Sequence, residues 1–158
     1  MDHVLRTAFT IPRPIDEVFT LFAEAGNLER ITPPELNFHI LLPKPAAISA
    51  GTLIDYRLRL FGWSFGWRSE ITAWDPPHRF VDRQVKGPYR LWIHTHRFSE
   101  VDGGTLIEDE VRYELPLRPL GEIAHPLLRL HLERIFRYRE TAIRGILLGK
   151  GSHPPSGL

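Results

Sequence analysis

Between residues 54 and 115 apolar side chains recur at every second position, and beyond Pro116 and Pro119 the spacing changes to that of a helix. A chain with this switch must form an antiparallel sheet and then lay one long amphipathic helix on it, because neither element can bury its apolar face alone. Ile54, Tyr56, Leu58 and Leu60 share one face of a strand. After a turn at Phe61-Gly62, Trp63, Phe65, Trp67, Ser69, Ile71 and Ala73 share the next. Asp75-Pro76-Pro77 interrupts, strands over 80–86 and 89–99 flank Gly87-Pro88, and Asp102-Gly103-Gly104 marks a hairpin leading into 105–115. Upstream, residues 3–11 alternate as a strand. Ile15, Val18, Phe19 and Phe22 recur at helical spacing, 28–31 reads as a second short helix, and Leu36, Phe38, Ile40 and Leu42 line another strand. The reading is α+β with seven strands. The closing helix carries Leu128, Leu132, Ile135, Phe136, Ile143, Ile146 and Leu147 on one stripe over about five turns, with Pro126 at a kink or in its first turn.

A curved sheet wrapped round a single helix leaves space between them, lined by the inward residues of every strand. The pattern therefore suggests a container for a small molecule. With 158 residues the chain reads as one ligand-binding domain over 1–148, followed by a small, Pro/Gly/Ser-rich, flexible tail over 149–158. The formal net charge of +1, with 17 Arg and 3 Lys, gives no electrostatic case for nucleic acid. Cysteine is absent, which excludes disulfides, thiolate zinc sites and a cysteine nucleophile. No run approaches the ~18 apolar residues of a membrane span and the first residues lack a secretory apolar core, so no integral membrane association and a cytoplasmic location are expected.

Four segments carry a family resemblance. They are Pro14-Ile15-Asp16-Glu17-Val18-Phe19 running into Asn27-Leu28-Glu29-Arg30-Ile31-Thr32-Pro33-Pro34, and Ile71-Thr72-Ala73-Trp74-Asp75-Pro76-Pro77-His78-Arg79-Phe80. The others are Gly87-Pro88-Tyr89-Arg90-Leu91-Trp92 through Phe98, and Asp102-Gly103-Gly104-Thr105 with Tyr113-Glu114-Leu115-Pro116. On these the chain resembles the START-like (SRPBCC) helix-grip superfamily, the polyketide cyclase/dehydrase and lipid-transport group, in its bacterial ligand-binding branch. The resemblance implies a helix-grip fold and an internal cavity for a lipid- or polyketide-like hydrophobic ligand. It also admits a cyclase/dehydrase enzyme and a protein-interaction module like the chaperone cofactors of this fold.

The most pointed feature is His94-Thr95-His96, since residues two apart on a strand face the same side. A two-residue loop in the following hairpin places Trp92, His94, His96 and Phe98 on one face with Ile107, Asp109, Val111 and Tyr113. A three-residue loop would turn both histidines to solvent. The apolar character of Trp92 and Phe98 favours the first. Inside, His94, His96 and Asp109 are candidates for holding a ligand's polar end or, in the cyclase alternative, for acid–base catalysis. The expected ligand wall is Tyr56, Trp67, Ile71, Trp92, Tyr113 and Phe136 together with those three polar residues. His94-x-His96 with Gly87 and Glu100 superficially matches a cupin metal motif, but six residues instead of five separate Gly87 from His94 and no second motif follows. His94 and His96 with Asp109 could in principle make a three-ligand metal site, but no metal and no cofactor are expected, and the chain is expected to be a monomer or weak homodimer. The loop over 43–51, the Gly87-Pro88 turn and the helix stripe are the expected gate. Arg129, Arg134, Arg137, Arg139 and Arg144 alternate with Glu133 and Glu140 and read as a solvated helix face.

Overall fold

A computed structural model describes residues 2–45, 47–117 and 119–149. The chain runs through strand β1 (His3–Ile11), helices α1 (Ile15–Ala23) and α2 (Asn27–Arg30), and a 3₁₀ turn at Pro34–Leu36. Strands β2 (His39–Ile40), β3 (Leu53–Leu60), β4 (Trp63–Asp75), β5 (Arg79–Lys86), β6 (Leu91–Val101) and β7 (Gly104–Glu114) follow, then helix α3 (Leu120–Leu148). The seven strands form one antiparallel sheet in the order β1-β7-β6-β5-β4-β3-β2. It is a meander whose first strand returns to pair with its last, so that α1 and α2 cross one end while α3 lies in the curve. This is the helix-grip arrangement expected from the sequence. Beyond Gly149 the expected tail lies outside the described residues. Among those residues no helix is long and apolar enough to cross a membrane.

The β6–β7 hairpin has a two-residue loop, Asp102-Gly103, with Val101 opposite Gly104 and Gly103 at φ +79. His96 therefore pairs with Asp109, His94 with Val111 and Trp92 with Tyr113, and both histidines face inward.

Four local readings differ from the sequence expectation. The strand expected over 36–42 shrinks to His39–Ile40, because Pro33 and Pro34 favour a tight turn and Asn37 takes a left-handed conformation at φ 44. Trp63 is exposed at the tip of the β3–β4 hairpin, beyond the reach of the core. A register shift in β4 between Ile71 and Ala73 moves the inward face to Trp74, whose ring packs on Phe19 and Phe80. Finally α3 spans 29 residues and Pro126 lies inside it. Its first turns leave Leu120, Ile123, Leu127 and Leu130 exposed, so they carry no buried stripe by which the sequence would mark them as helix.

Gly104 is a point of close approach: a Cβ there would run into the carbonyl oxygen of Ile11, where β1 leaves the sheet. Both groups are backbone and cannot swing aside. Gly104→Ala should cost about 1–3 kcal/mol, the usual range for overpacking, read as a lowered melting temperature. A variant as stable as the wild type would mean that the β1 end yields freely.

The interior divides into two apolar clusters. One gathers Ile11, Phe19, Phe22, Ile54, Ile71, Phe80, Phe98, Ile107 and Ile143 under α1 and α2. The other gathers Leu5, Leu58, Trp67, Tyr89, Val111, Tyr113, Leu132 and Phe136 towards the start of α3. Where they part, each strand from β3 to β7 turns a polar residue inward. Because register aligns inward positions across neighbouring strands, Tyr56, Ser69, Asp82, His94 with His96, and Asp109 form a continuous belt across the concave face.

Candidate functional site

The belt opens onto a cavity of about 160 Å³ between sheet and α3. Its apolar wall includes Phe22, Ile54, Leu58, Trp67, Trp92 and Phe136, and its polar side is Tyr56, Ser69, Asp82, His94, His96 and Arg139. Trp67 stacks on Tyr56 and meets Trp92 edge-on at a centroid distance of 5.4 Å, so the aromatic wall is fixed by ring-on-ring packing.

The belt is a chain of hydrogen bonds. Trp67 Nε1–H donates to Ser69 Oγ at 3.1 Å, and Ser69 donates onward to Asp82 Oδ1 at a long 3.5 Å. Since the serine hydroxyl has one hydrogen, Tyr56, 3.3 Å away, is the donor in their contact. His96 Nε2 lies 3.2 Å from Asp82 Oδ2, and His94 Nε2 bonds Asp109 Oδ1 at 2.8 Å. His96 Nδ1 is also 2.8 Å from that Asp109 oxygen, although its direction misses hydrogen-bond geometry. The imidazoles stack with centroids 3.7 Å apart, and Phe80 covers His96 from the other side at 4.0 Å.

Burial sets the electrostatics. It works against the charge on Asp109, yet contacts with His96 and His94 overcome it and hold the carboxyl well below its ordinary range. Asp82 is likewise opposed by burial and lowered by its hydrogen bond from His96 and the neighbouring charges. Burial, with His96 alongside, moves His94 below the usual imidazole value despite Asp109. Burial also pushes the Tyr56 phenol well up, keeping it a neutral donor.

Of the expected wall, Tyr56, Trp67, Ile71, Trp92, His94, His96 and Phe136 border the cavity. Asp109 does not: it sits behind the histidines, on their far nitrogens. Tyr113 is also elsewhere, fully buried with its hydroxyl 3.0 Å from His125 Nε2 beside the start of α3. Two polar residues on the cavity, Asp82 and Arg139, were not among those the sequence marked as its wall. Asp82 shares the inward face with Phe80 by simple alternation. Arg139 is not on a solvated face: its guanidinium lies 5.3 Å over the Phe22 ring, with Nε and one Nη shut from solvent and without a hydrogen-bond acceptor. Among the described residues, Asp82, His94 and His96 form the one cluster whose donor atoms lie close enough to share a metal ion, within 4.8 Å of one another.

A sheet gripping one helix round an apolar cavity with a polar side defines a START-like, helix-grip protein. The family model for polyketide cyclase / dehydrase and lipid transport matches residues 11–137, and the chain belongs to that family. Solved structures share the fold. The Zhui aromatase/cyclase from Streptomyces sp. R1128 superposes with a TM-score of 0.74 at 17% identity, over 96% of this chain and 100% of that one. The protein TTHA0849 from Thermus thermophilus gives 0.71 at 20% identity over 95% and 100%. A protein from Arthrobacter aurescens gives 0.73 at 12% identity over 97% and 90%. No curated protein matches the sequence.

Proposed function

We propose that the chain binds a small apolar molecule, about the size of one aromatic ring, that carries an anionic or strongly hydrogen-bond-accepting end. The observation that carries this reading is the pairing, on one cavity, of an aromatic wall with the Arg139 guanidinium, two of whose nitrogens are buried without an acceptor. Cavities near 150 Å³ take up a benzene-sized guest, so a lipid or a long polyketide enters only if the walls open. Ile48, in the loop before β3, and Tyr89, after the Gly87-Pro88 turn, both line the cavity, which supports these two segments as the gate. The ligand's ring packs against Trp67, Trp92 and Phe136, and its polar end faces Arg139, Tyr56 and the histidines.

Two of the four tryptophans, Trp67 and Trp92, border the cavity, so their fluorescence reports occupancy. Titration with single-ring carboxylates such as benzoate, salicylate or phenylacetate should quench it saturably, and uncharged analogues should bind more weakly. Native mass spectrometry of freshly purified protein should show a co-purified organic mass. A bare mass together with no saturable quenching across the panel would sink the container reading.

A second reading, ring closure with loss of water on a polyketide-like substrate, is supported by the imidazole of His94 on the cavity wall with a buried carboxylate behind it. Its signature is turnover of a poly-β-keto thioester that disappears in His94→Ala. Tight binding without turnover leaves the carrier reading alone.

A further inference from the structure

The two imidazoles of the belt stand between two carboxylates. His94 presents Nε2 to Asp109 at 2.8 Å and Nδ1 to Asp82 at 3.7 Å, while His96 presents Nδ1 to Asp109 at 2.8 Å and Nε2 to Asp82 at 3.2 Å. That makes four contacts between a ring nitrogen and a carboxylate. Two neutral imidazoles carry one N–H each, so they can serve only two of the four. The other two set a nitrogen lone pair against a carboxylate oxygen. Protonating both rings would supply the missing hydrogens, but it would place two cations 3.7 Å apart in a buried site. A cation on one side of the pair resolves all four contacts together.

The geometry selects the side. Asp109 is deep, reaches both far nitrogens through a single oxygen, and does not border the cavity. His96 gives its Nε2–H to Asp82; moving that proton to Nδ1, beside the Asp109 oxygen that His94 Nε2–H already serves, frees the lone pairs of His94 Nδ1 and His96 Nε2 towards Asp82 Oδ2, and all three residues border the cavity. We infer that Asp82, His94 and His96 form a binding site for a divalent transition-metal ion of the zinc and cobalt class, with Asp109 as the carboxylate that orients both imidazoles. The three donor atoms lie within 4.8 Å of one another, and the 3.7 and 3.2 Å edges from Asp82 Oδ2 to the two nitrogens bracket the ~3.3 Å edge of a tetrahedron with ~2.0–2.1 Å bonds. Two imidazoles and one carboxylate favour zinc, cobalt, nickel or ferrous iron over magnesium or calcium, which take oxygen shells. Phe80 stacked on His96 holds that ring in place, and all three ligands line the cavity. The expectation of no metal came from the absence of a sequence motif, but here the third ligand comes from a different strand, β5. The site stands independently of whether an organic ligand occupies the cavity.

The test is to strip the protein with a chelator and titrate it with Co(II), reading visible d–d bands and calorimetry. The expected result is one equivalent bound, with the intense bands of a four- or five-coordinate ion. Zinc should displace it. Asp82→Asn, which keeps shape and borders solvent, should abolish the bands, as should His94→Ala. Asp109→Asn should weaken affinity by about 10–100-fold, as removal of an outer-shell carboxylate does. His39→Ala and His78→Ala should change nothing. Each variant is first shown folded by circular dichroism, and if His94→Ala fails there, Asp82→Asn decides alone. A folded wild type without Co(II) bands would overturn the site, and so would unchanged bands in folded Asp82→Asn.

Discussion

Replacing Asp109 with alanine should destabilise the protein by about 3 kcal/mol. The carboxylate is 3% exposed and accepts the Nε2–H of His94. A hydrogen bond to a charged acceptor contributes about 1.5–3 kcal/mol, and the alanine leaves a buried N–H with no partner besides a small void. The larger penalty of an orphaned buried charge does not apply to His94, because burial favours its neutral ring. At roughly 2–4 °C per kcal/mol for a domain of this size, the melting temperature should fall by about 10 °C. Asp109→Asn keeps an oxygen for His94 and should cost less than half as much. Near-wild-type melting of Asp109→Ala would show that water replaces the carboxylate and that the belt is not buried from solvent.

This belt shows where sequence carries structure and where it stops. His94 and His96 were legible because the apolar Trp92 and Phe98 beside them chose between two possible hairpin loop lengths, and the structure has the two-residue loop that turns this face inward. Asp82 could have been found by the same alternation, since Phe80 must face inward and Asp82 follows it by two. It was missed because a short charged stretch, Asp82-Arg83-Gln84, looks like surface. Trp74 was hidden by the register shift in β4, which no local periodicity announces. Arg139 did leave a signal. The buried stripe of α3 runs Leu128, Leu132, Phe136, Ile143 and Leu147, and position 139 completes its three- and four-residue spacing with a cation. A charge on an apolar stripe is a local inconsistency, and such inconsistencies gather at functional sites. Tyr113 and Asp109 faced inward as expected, yet an inward side chain is not yet a cavity wall. Whether it touches open space depends on how far α3 and its neighbours press onto each strand, and that distance is a property of the whole packing.

Arg139→Met should separate stability from binding in opposite directions. In the ligand-free protein two guanidinium nitrogens are buried without an acceptor, and an unsatisfied buried donor costs about 1–3 kcal/mol. Packing over Phe22 returns about 0.5–1 kcal/mol as a cation–π contact, and attraction to Asp82 returns a further part. Methionine keeps the length and apolar stem of the side chain while removing both the charge and the unmet donors. The variant should therefore melt a few degrees higher, corresponding to about 1 kcal/mol by the same conversion. Affinity should move the other way. A charge-assisted hydrogen bond to a ligand carboxylate contributes about 1.5–3 kcal/mol, so single-ring carboxylates should bind roughly 10–150-fold more weakly, while uncharged analogues should be little affected. An arginine whose role was to hold α3 on the sheet would behave differently: its loss would lower the melting temperature and leave the difference between charged and uncharged ligands unchanged. Thermal melts and the tryptophan titration on this one variant thus decide whether the guanidinium is kept for the fold or for what enters the cavity.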